Sequence, residues 1–232
     1  MSDKVQKFTG FPASGVQFLR DLRDNNTKEW FEEHKDRYIK NVQQPALALV
    51  VALGEQLQKK FPDIQPDTRT NGSGSLLRLY RDTRFSADKT PYKTNVAMIF
   101  TPAGTKKMET PGFGLQITPE EVEVVTGIFQ FTKPQLEAYR AATLDEKLGN
   151  ALVETVRDFP AKGYRLDGKT YKRVPSGFDA AHPRAEWLKF SGLYAYPAPL
   201  SLEEAETPEL VTTLMKHYEQ MSPLRDWLKR IL

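Results

Sequence analysis

Between Arg78 and Lys93 the chain reads Arg-Leu-Tyr-Arg-Asp-Thr-Arg-Phe-Ser-Ala-Asp-Lys-Thr-Pro-Tyr-Lys. Five cations (Arg78, Arg81, Arg84, Lys89 and Lys93) stand against two carboxylates, Asp82 and Asp88, within sixteen residues. The whole chain of 232 residues has 33 Lys plus Arg against 30 Asp plus Glu, the same surplus of three. The remainder is therefore charge-balanced, and the excess positive charge sits in this one stretch. Guanidinium and ammonium groups converging from a short segment suit the recognition of carboxylate or phosphate oxygens. Asp82 and Asp88 are placed to hold the guanidiniums by bidentate pairing, and Thr90-Pro91 stiffens the exit from the turn. The same two carboxylates also support a plainer reading, a solvated turn whose charges neutralise one another. Tyr80, Phe85 and Tyr92 are interleaved with the cations, either to stack on bases or to pack on a sheet.

Other residues are candidates to join this stretch. Trp30, Arg140, Lys172 and Arg173 would supply further cation and ring contacts to a bound anion. The three histidines are His34, His182 and His217. His34 and His182 are the candidates for proton transfer, each against the plainer alternative of a surface helix or turn residue. His217 reads as structural or solvated. No HxxxH, HExxH or HxH spacing occurs, and the acidic residues form no metal-binding loop, so neither a metal nor a cofactor is expected. Asn71-Gly-Ser-Gly-Ser75 lacks the Lys-Ser/Thr of a phosphate-binding loop and precedes a strand rather than a helix. It reads as a flexible connection. The run Glu203-Glu204-Ala205-Glu206 reads as a solvated loop with helix-start charge ahead of Thr207-Pro208.

The elements that must position these residues follow from periodicity. Ser14 is the expected cap of a first helix with Val16, Phe18, Leu19 and Leu22 on one side. Asn25-Asn26 marks a break, and Thr27 caps a second helix carrying Trp30, Phe31, Tyr38 and Ile39. Pro45 opens a third, whose apolar face is Leu47, Val50, Val51, Leu53 and Leu57. Past Pro66 the period changes to two. Leu77 and Leu79 alternate with Arg78 and Tyr80 as a strand, so that Arg78 and Tyr80 share its outer face. Thr94–Thr101 is another, and Gly112–Thr118 with Glu121–Phe131 forms a hairpin about Pro119-Glu120. Helical patterns return at 134–144, 145–159 and 208–232, the last interrupted near Pro223, with strands at 164–174 and 190–196 between them. Helices, then short strands, then helices with a little more strand imply a single α+β domain over residues 1–232. Its sheet is antiparallel or mixed, with N-terminal and C-terminal helices packed on it, 207–232 being the C-terminal helical segment.

These residues also carry a resemblance. Arg81–Lys93 resembles the signature of the domain of unknown function family 2461, a set of conserved hypothetical proteins. Phe18-Leu-Arg-Asp-Leu-Arg-Asp-Asn-Asn-Thr-Lys-Glu-Trp-Phe31, followed by His34-Lys35 and Tyr38, is similar to that family's opening block. Gly112–Ile117, Gly127–Phe129, Arg140, Lys172–Phe178, Asp179 and His182-Pro183 resemble its later pieces. The similarity spans roughly residues 8–200 and implies a single α+β domain, with no activity to carry over.

Composition narrows the function classes. With 39% hydrophobic residues and 11% aromatics the chain folds. With no cysteine it has no disulfide, thiolate nucleophile or Cys-ligated zinc. No apolar run approaches the ~20 residues of a membrane span, so no membrane partner is expected. The N-terminus lacks the apolar core of a signal peptide, and a cytoplasmic protein is the default. The leading function is a site for an anionic small molecule bearing phosphate or carboxylate, with electrostatic stabilisation as the contribution if it is catalytic. The alternatives are a nucleic-acid-binding module and a structural or protein-interaction domain with internally paired charges.

Overall fold

The computed structural model describes residues 6–84 and 86–232. Phe85 and the first five residues, which carry part of the basic segment's aromatic pattern and of the N-terminal reading, lie outside the described residues. The chain opens with α1 (Ala13–Asp24), which buries Val16, Phe18, Leu19 and Leu22 as their spacing requires. Ser14 is not its cap. The helix begins one residue earlier, after Pro12, with no side-chain cap. Asn25 ends it, donating its side-chain amide to the Asp21 carbonyl at 2.9 Å. The Thr27 hydroxyl then accepts from the Trp30 N–H at 3.2 Å and starts α2 (Lys28–Glu33).

The helix expected to run on through Tyr38 divides at His34. The ring Nδ1–H of His34 donates to the Trp30 carbonyl at 2.8 Å, and its backbone leaves the helical region before α3 (Lys35–Tyr38) resumes. A π-helical turn at Ile39–Gln43 leads into α4 (Gln44–Lys60). The Gln44 N–H reaches back five residues to the Ile39 carbonyl, and Pro45, which has no N–H to give, follows it. The buried face of α4 holds Ala46, Leu49, Val50, Leu53 and Leu57, while Leu47 and Val51 are only half-buried.

The strands are β1 (Val96–Phe100), β2 (Gly112–Ile117), β3 (Val122–Ile128), β4 (Arg165–Lys169) and β5 (Phe190–Tyr196). They form one antiparallel sheet in the order β1-β2-β3-β5-β4. β1 buries Val96, Met98 and Phe100, and β3 alternates buried Val122, Val124 and Thr126 with exposed Glu123, both as period two demands. β2 and β3 form the expected hairpin. Thr118 closes its tip, its hydroxyl accepting from the Glu120 and Glu121 N–H groups and donating to the Glu121 carbonyl. β4 is shorter than expected. After a bulge at Gly168 the N–H groups of Thr170 and Tyr171 both turn to the Lys189 carbonyl, and 172–184 form an irregular loop.

The other helices are α5 (Lys133–Leu144), α6 (Glu146–Val156), α7 (Leu202–Ala205) and α8 (Leu210–Ile231). Thr132 with Gln135 and Ser201 with Glu204 form capping boxes at α5 and α7, and Asp145 caps α6. The acidic run at Glu203 is thus the first turn of a helix rather than a loop. α8 is continuous through Pro223, against the expected interruption. Proline cannot donate to the carbonyl four residues back, and here the Ser222 hydroxyl donates to that carbonyl, Glu219 O, at 3.0 Å.

The result is a single α+β domain with helices at both ends, whose contacts resolve into two compact units. One takes the described chain to Ala103 with Gly114–Val124 and Pro199–Lys216. The other takes Gly104–Phe113, Val125–Ala198 and His217–Leu232. No described helix is long and apolar enough to cross a membrane.

Candidate functional site

The basic segment lies in the first unit, pinned at two points rather than by a regular strand. Leu76 bridges Met98 and Tyr80 bridges Tyr92, both antiparallel. Tyr80 lies four positions after Leu76, while Met98 lies six positions after Tyr92. The longer side must bow outward, and it does so at Lys93-Thr94-Asn95. This irregularity corrects the expected strand, with its alternating Leu77 and Leu79. Leu76 and Leu79 are buried, Leu77 is half-buried, and Arg78 and Tyr80 are exposed as expected. The loop before it is not a loose connection either. The Ser75 hydroxyl accepts from the Asp67 N–H at 3.1 Å, and the Ser75 N–H donates to the Asp67 carbonyl at 2.7 Å. A Cβ at Gly74 would lie 1.9 Å from the Arg69 carbonyl, so only glycine fits there.

Both carboxylates of the segment meet a guanidinium, Asp82 with the expected two bonds and Asp88 through a single Nη. Arg84 grips Asp82 with two bonds, at 2.7 and 3.0 Å. Arg81 uses one Nη for both Asp88 and the Thr90 hydroxyl, the latter at 2.7 Å. Asp88 accepts in turn from the N–H and hydroxyl of Thr90, at 2.9 and 2.8 Å. The Arg84 guanidinium holds the Asp82 carboxyl at about 2. The two Thr90 donors, with Arg81 behind them, hold Asp88 at about 2 as well. Lys89 donates to the Thr83 carbonyl at 2.8 Å. Arg78 and Lys93 remain: among the described residues neither pairs with a carboxylate. Burial pushes the Lys93 ammonium's pKa down, and the nearby Arg78 charge adds to the effect.

Lys93 opens onto a cleft of ≈ 360 Å³, lined by Arg23, Asn26, Arg81, Asp88, Thr90, Tyr92, Lys93, Thr94 and Asn95. Asn26 builds its wall. Its amide donates to the Tyr92 carbonyl at 3.0 Å and accepts from the Tyr92 N–H at 3.1 Å, replacing a neighbouring strand at that residue. The Tyr92 ring stacks on Phe31 at 4.3 Å and lies 5.1 Å from Tyr80. Burial, with Tyr80 beside it, pushes the Tyr92 phenol up to about 12, so it stays neutral at ordinary pH. Arg23 reaches Glu120 at 2.7 Å. On the bulge, Asn95 donates to Gln116, which donates to Glu123.

Trp30 is not part of the cleft lining. It stacks on His34 at 4.2 Å and packs 5.6 Å from Phe18. Arg140, Lys172, Arg173 and His182 belong to the second unit. There Arg140 lies over the rings of Tyr171 and Phe178. Lys172 and Arg173 are exposed on the loop after β4. His182 is a turn residue whose Nδ1 accepts from the Arg184 N–H at 3.1 Å. His217 meets the Tyr164 hydroxyl at 3.0 Å through its Nδ1. Among the described residues no cluster of His, Asp and Glu is placed to hold a metal. Asn26, Thr94 and Asn95 were not foreseen in the lining. Asn26 reads locally as a helix break, and the bulge residues carry no motif of their own.

No curated protein matches the chain. The sequence model of one family, described as conserved hypothetical protein (DUF2461), matches residues 14–227, starting later than the expected 8 and running past the expected 200 through most of α8. The chain therefore belongs to that family.

Proposed function

We propose that the cleft at the bulge binds the carboxylate or phosphate group of a small molecule, with Lys93 as the cation that meets it. The observation that carries this reading is Lys93 itself. It is half-buried at the cleft, lacks a carboxylate partner among the described residues, and has its charged form disfavoured by burial and by Arg78. An anion beside it would reverse both effects. Arg81 supports the same reading. Asp88 and Thr90 occupy one Nη and fix the plane of the guanidinium, while Nε and the other Nη have no partner among the described residues. Because Asp88 neutralises Arg81, the net charge offered is small, and a single oxyanion group suits it better than a polyanion. A volume of ≈ 360 Å³ is within the range of small-molecule sites. The function proposed is binding; His34 and His182 are given no part in it.

The test is thermal stability in rising concentrations of inorganic phosphate and of citrate, for the wild type, Lys93→Gln and Lys89→Gln. Saturable stabilisation of the wild type and of Lys89→Gln, lost in Lys93→Gln, is the expected result. Equal stabilisation of all three proteins would overturn the proposal. An oligonucleotide that binds with a steep salt dependence while both small anions do nothing would favour the nucleic-acid reading instead.

A further inference from the structure

Arg140 sits on α5 with Glu137 one turn before it, the spacing of a helical ion pair, yet no such pair forms. Its guanidinium carbon lies instead 5.2 Å from the Tyr171 ring centroid and 5.5 Å from that of Phe178. Its Nε is buried with no hydrogen-bond partner, and among the described residues no carboxylate, carbonyl or hydroxyl accepts from the rest of the group. A guanidinium packed against rings gains cation–π attraction, and its outward N–H edge is left for an acceptor in its own plane. The two Nη groups, which no described acceptor meets, are the donors left for a ligand.

Both walls are held in place. The capping box at Thr132 fixes the start of α5, and the Tyr139 hydroxyl donates to the Trp187 carbonyl at 2.9 Å beside Arg140. The loop bearing the rings is tied at one end by the Tyr171 N–H to the Lys189 carbonyl at 3.0 Å. At the other end Arg184 donates to the carbonyls of Thr143, Leu144 and Asp145 and to the Asn150 side chain, at 2.7 to 3.2 Å. Lys172 and Arg173, next to Tyr171, are exposed and pair with no described carboxylate. The acid nearest in sequence to Phe178 is Asp179, whose carboxylate accepts from the Ala181 N–H at 2.8 Å.

We infer that Arg140, framed by Tyr171 and Phe178 and flanked by Lys172 and Arg173, is an oxyanion-binding site of the second unit. It would hold one phosphate or carboxylate group through the two Nη of Arg140. Aromatic packing supplies what a paired carboxylate supplies to Arg81 in the basic segment. It fixes the plane of the guanidinium, and it does so without neutralising its charge. The inference does not depend on the proposal for the cleft.

The experiment follows arginine side-chain N–H and lysine ammonium signals by NMR in the full chain. Inorganic phosphate is added in one arm and acetate in the other, both at constant ionic strength. Saturable movement of the Arg140 signal in either arm is expected, and the arm that saturates first names the oxyanion class. The Tyr171→Leu and Phe178→Leu variants should each weaken binding at least ~threefold, and Arg140→Lys, which keeps the charge but loses the planar fork, at least ~tenfold. Lys93→Gln should leave the Arg140 response unchanged, so failure here and failure at the cleft are told apart. An Arg140 signal that stays still in both arms would overturn the inference. So would a response that survives intact in Arg140→Lys, because general charge attraction would then explain it.

Discussion

Asn26 shows how one side chain can set a site that its own neighbourhood does not announce. Its amide satisfies both backbone groups of Tyr92, a residue 66 positions away and buried. Asn26→Ala leaves a buried donor and a buried acceptor unpaired, and should cost about 2–3 kcal/mol in urea unfolding. Asn26→Asp keeps an acceptor for the Tyr92 N–H but turns a carboxylate oxygen toward the Tyr92 carbonyl. It should therefore be no better than alanine at neutral pH. If Asp restored wild-type stability, the two-bond clamp would be the wrong account. Gly149 gives a comparable case in the second unit. A Cβ there would lie 2.2 Å from the Thr143 carbonyl and 2.4 Å from the Arg184 Nε, displacing the arginine that ties the ring-bearing loop to α5. Gly149→Ala should lose about 2 kcal/mol or more, against the small gain that alanine normally gives inside a helix. What was legible at this scale was what lies close in sequence. Asp82 and Arg84 are two residues apart and pair as that spacing allows, whereas the Thr90 donors to Asp88 were not foreseen. Asn26 and Gly149 meet partners far along the chain, and nothing beside them in the sequence records it.

At the scale of elements, the basic segment is a turn closed by the Tyr80–Tyr92 bridge and held by its own acids, and that dictates its response to pH. The Asp88 carboxyl is depressed to about 2, first by the Thr90 donors and then by Arg81. A depressed carboxyl contributes stability that is fully present above the ordinary value of 3.8 and is lost as pH falls toward about 2. Acidification through that window should loosen the 82–90 turn while β1 remains protected from hydrogen exchange. Carboxyl carbon NMR should place the Asp88 midpoint near 2. Thr90→Val removes the hydroxyl but not the backbone N–H and should raise that midpoint only part of the way to 3.8, with Arg81→Gln raising it further. A wild-type midpoint at 3.8 would mean that the turn is not organised in this way. Elements with one periodic face were legible because that face decides them, as in α1, β1 and β3. The departures lie where a single local bond overrides the period. His34 folds its ring back on the Trp30 carbonyl and splits a helix; Ser222 covers the carbonyl that Pro223 leaves and keeps one whole. Two surplus residues between bridges turn an expected strand into a bulge, and that bulge carries Lys93 to the cleft.

At the scale of the whole molecule, the order of helices, short strands and helices was enough to give an α+β class. The mixed or antiparallel choice resolves as antiparallel: the short link at Pro119-Glu120 leaves no room for a crossover between β2 and β3, while β5 pairs antiparallel with β3 and β4 across longer connections. The division of the chain into two compact units was not legible, because the boundary does not fall at a linker. It passes through β2, between Phe113 and Gly114, through β3, between Val124 and Val125, and through α8, between Lys216 and His217. Each of these elements contributes residues to both units, and a hydrogen-bonded strand or a continuous helix gains stability along its length. Unfolding is therefore expected to be one cooperative transition. The three tryptophans report on it, Trp30 from the first unit and Trp187 and Trp227 from the second. With 5-fluorotryptophan in place of all three, the native fluorine signals should vanish at the same urea concentration. Gly149→Ala, whose clash lies wholly in the second unit, should lower the midpoint of Trp30 as much as those of Trp187 and Trp227. If Trp30 kept its native signal after the other two had melted, each unit would be a domain in its own right.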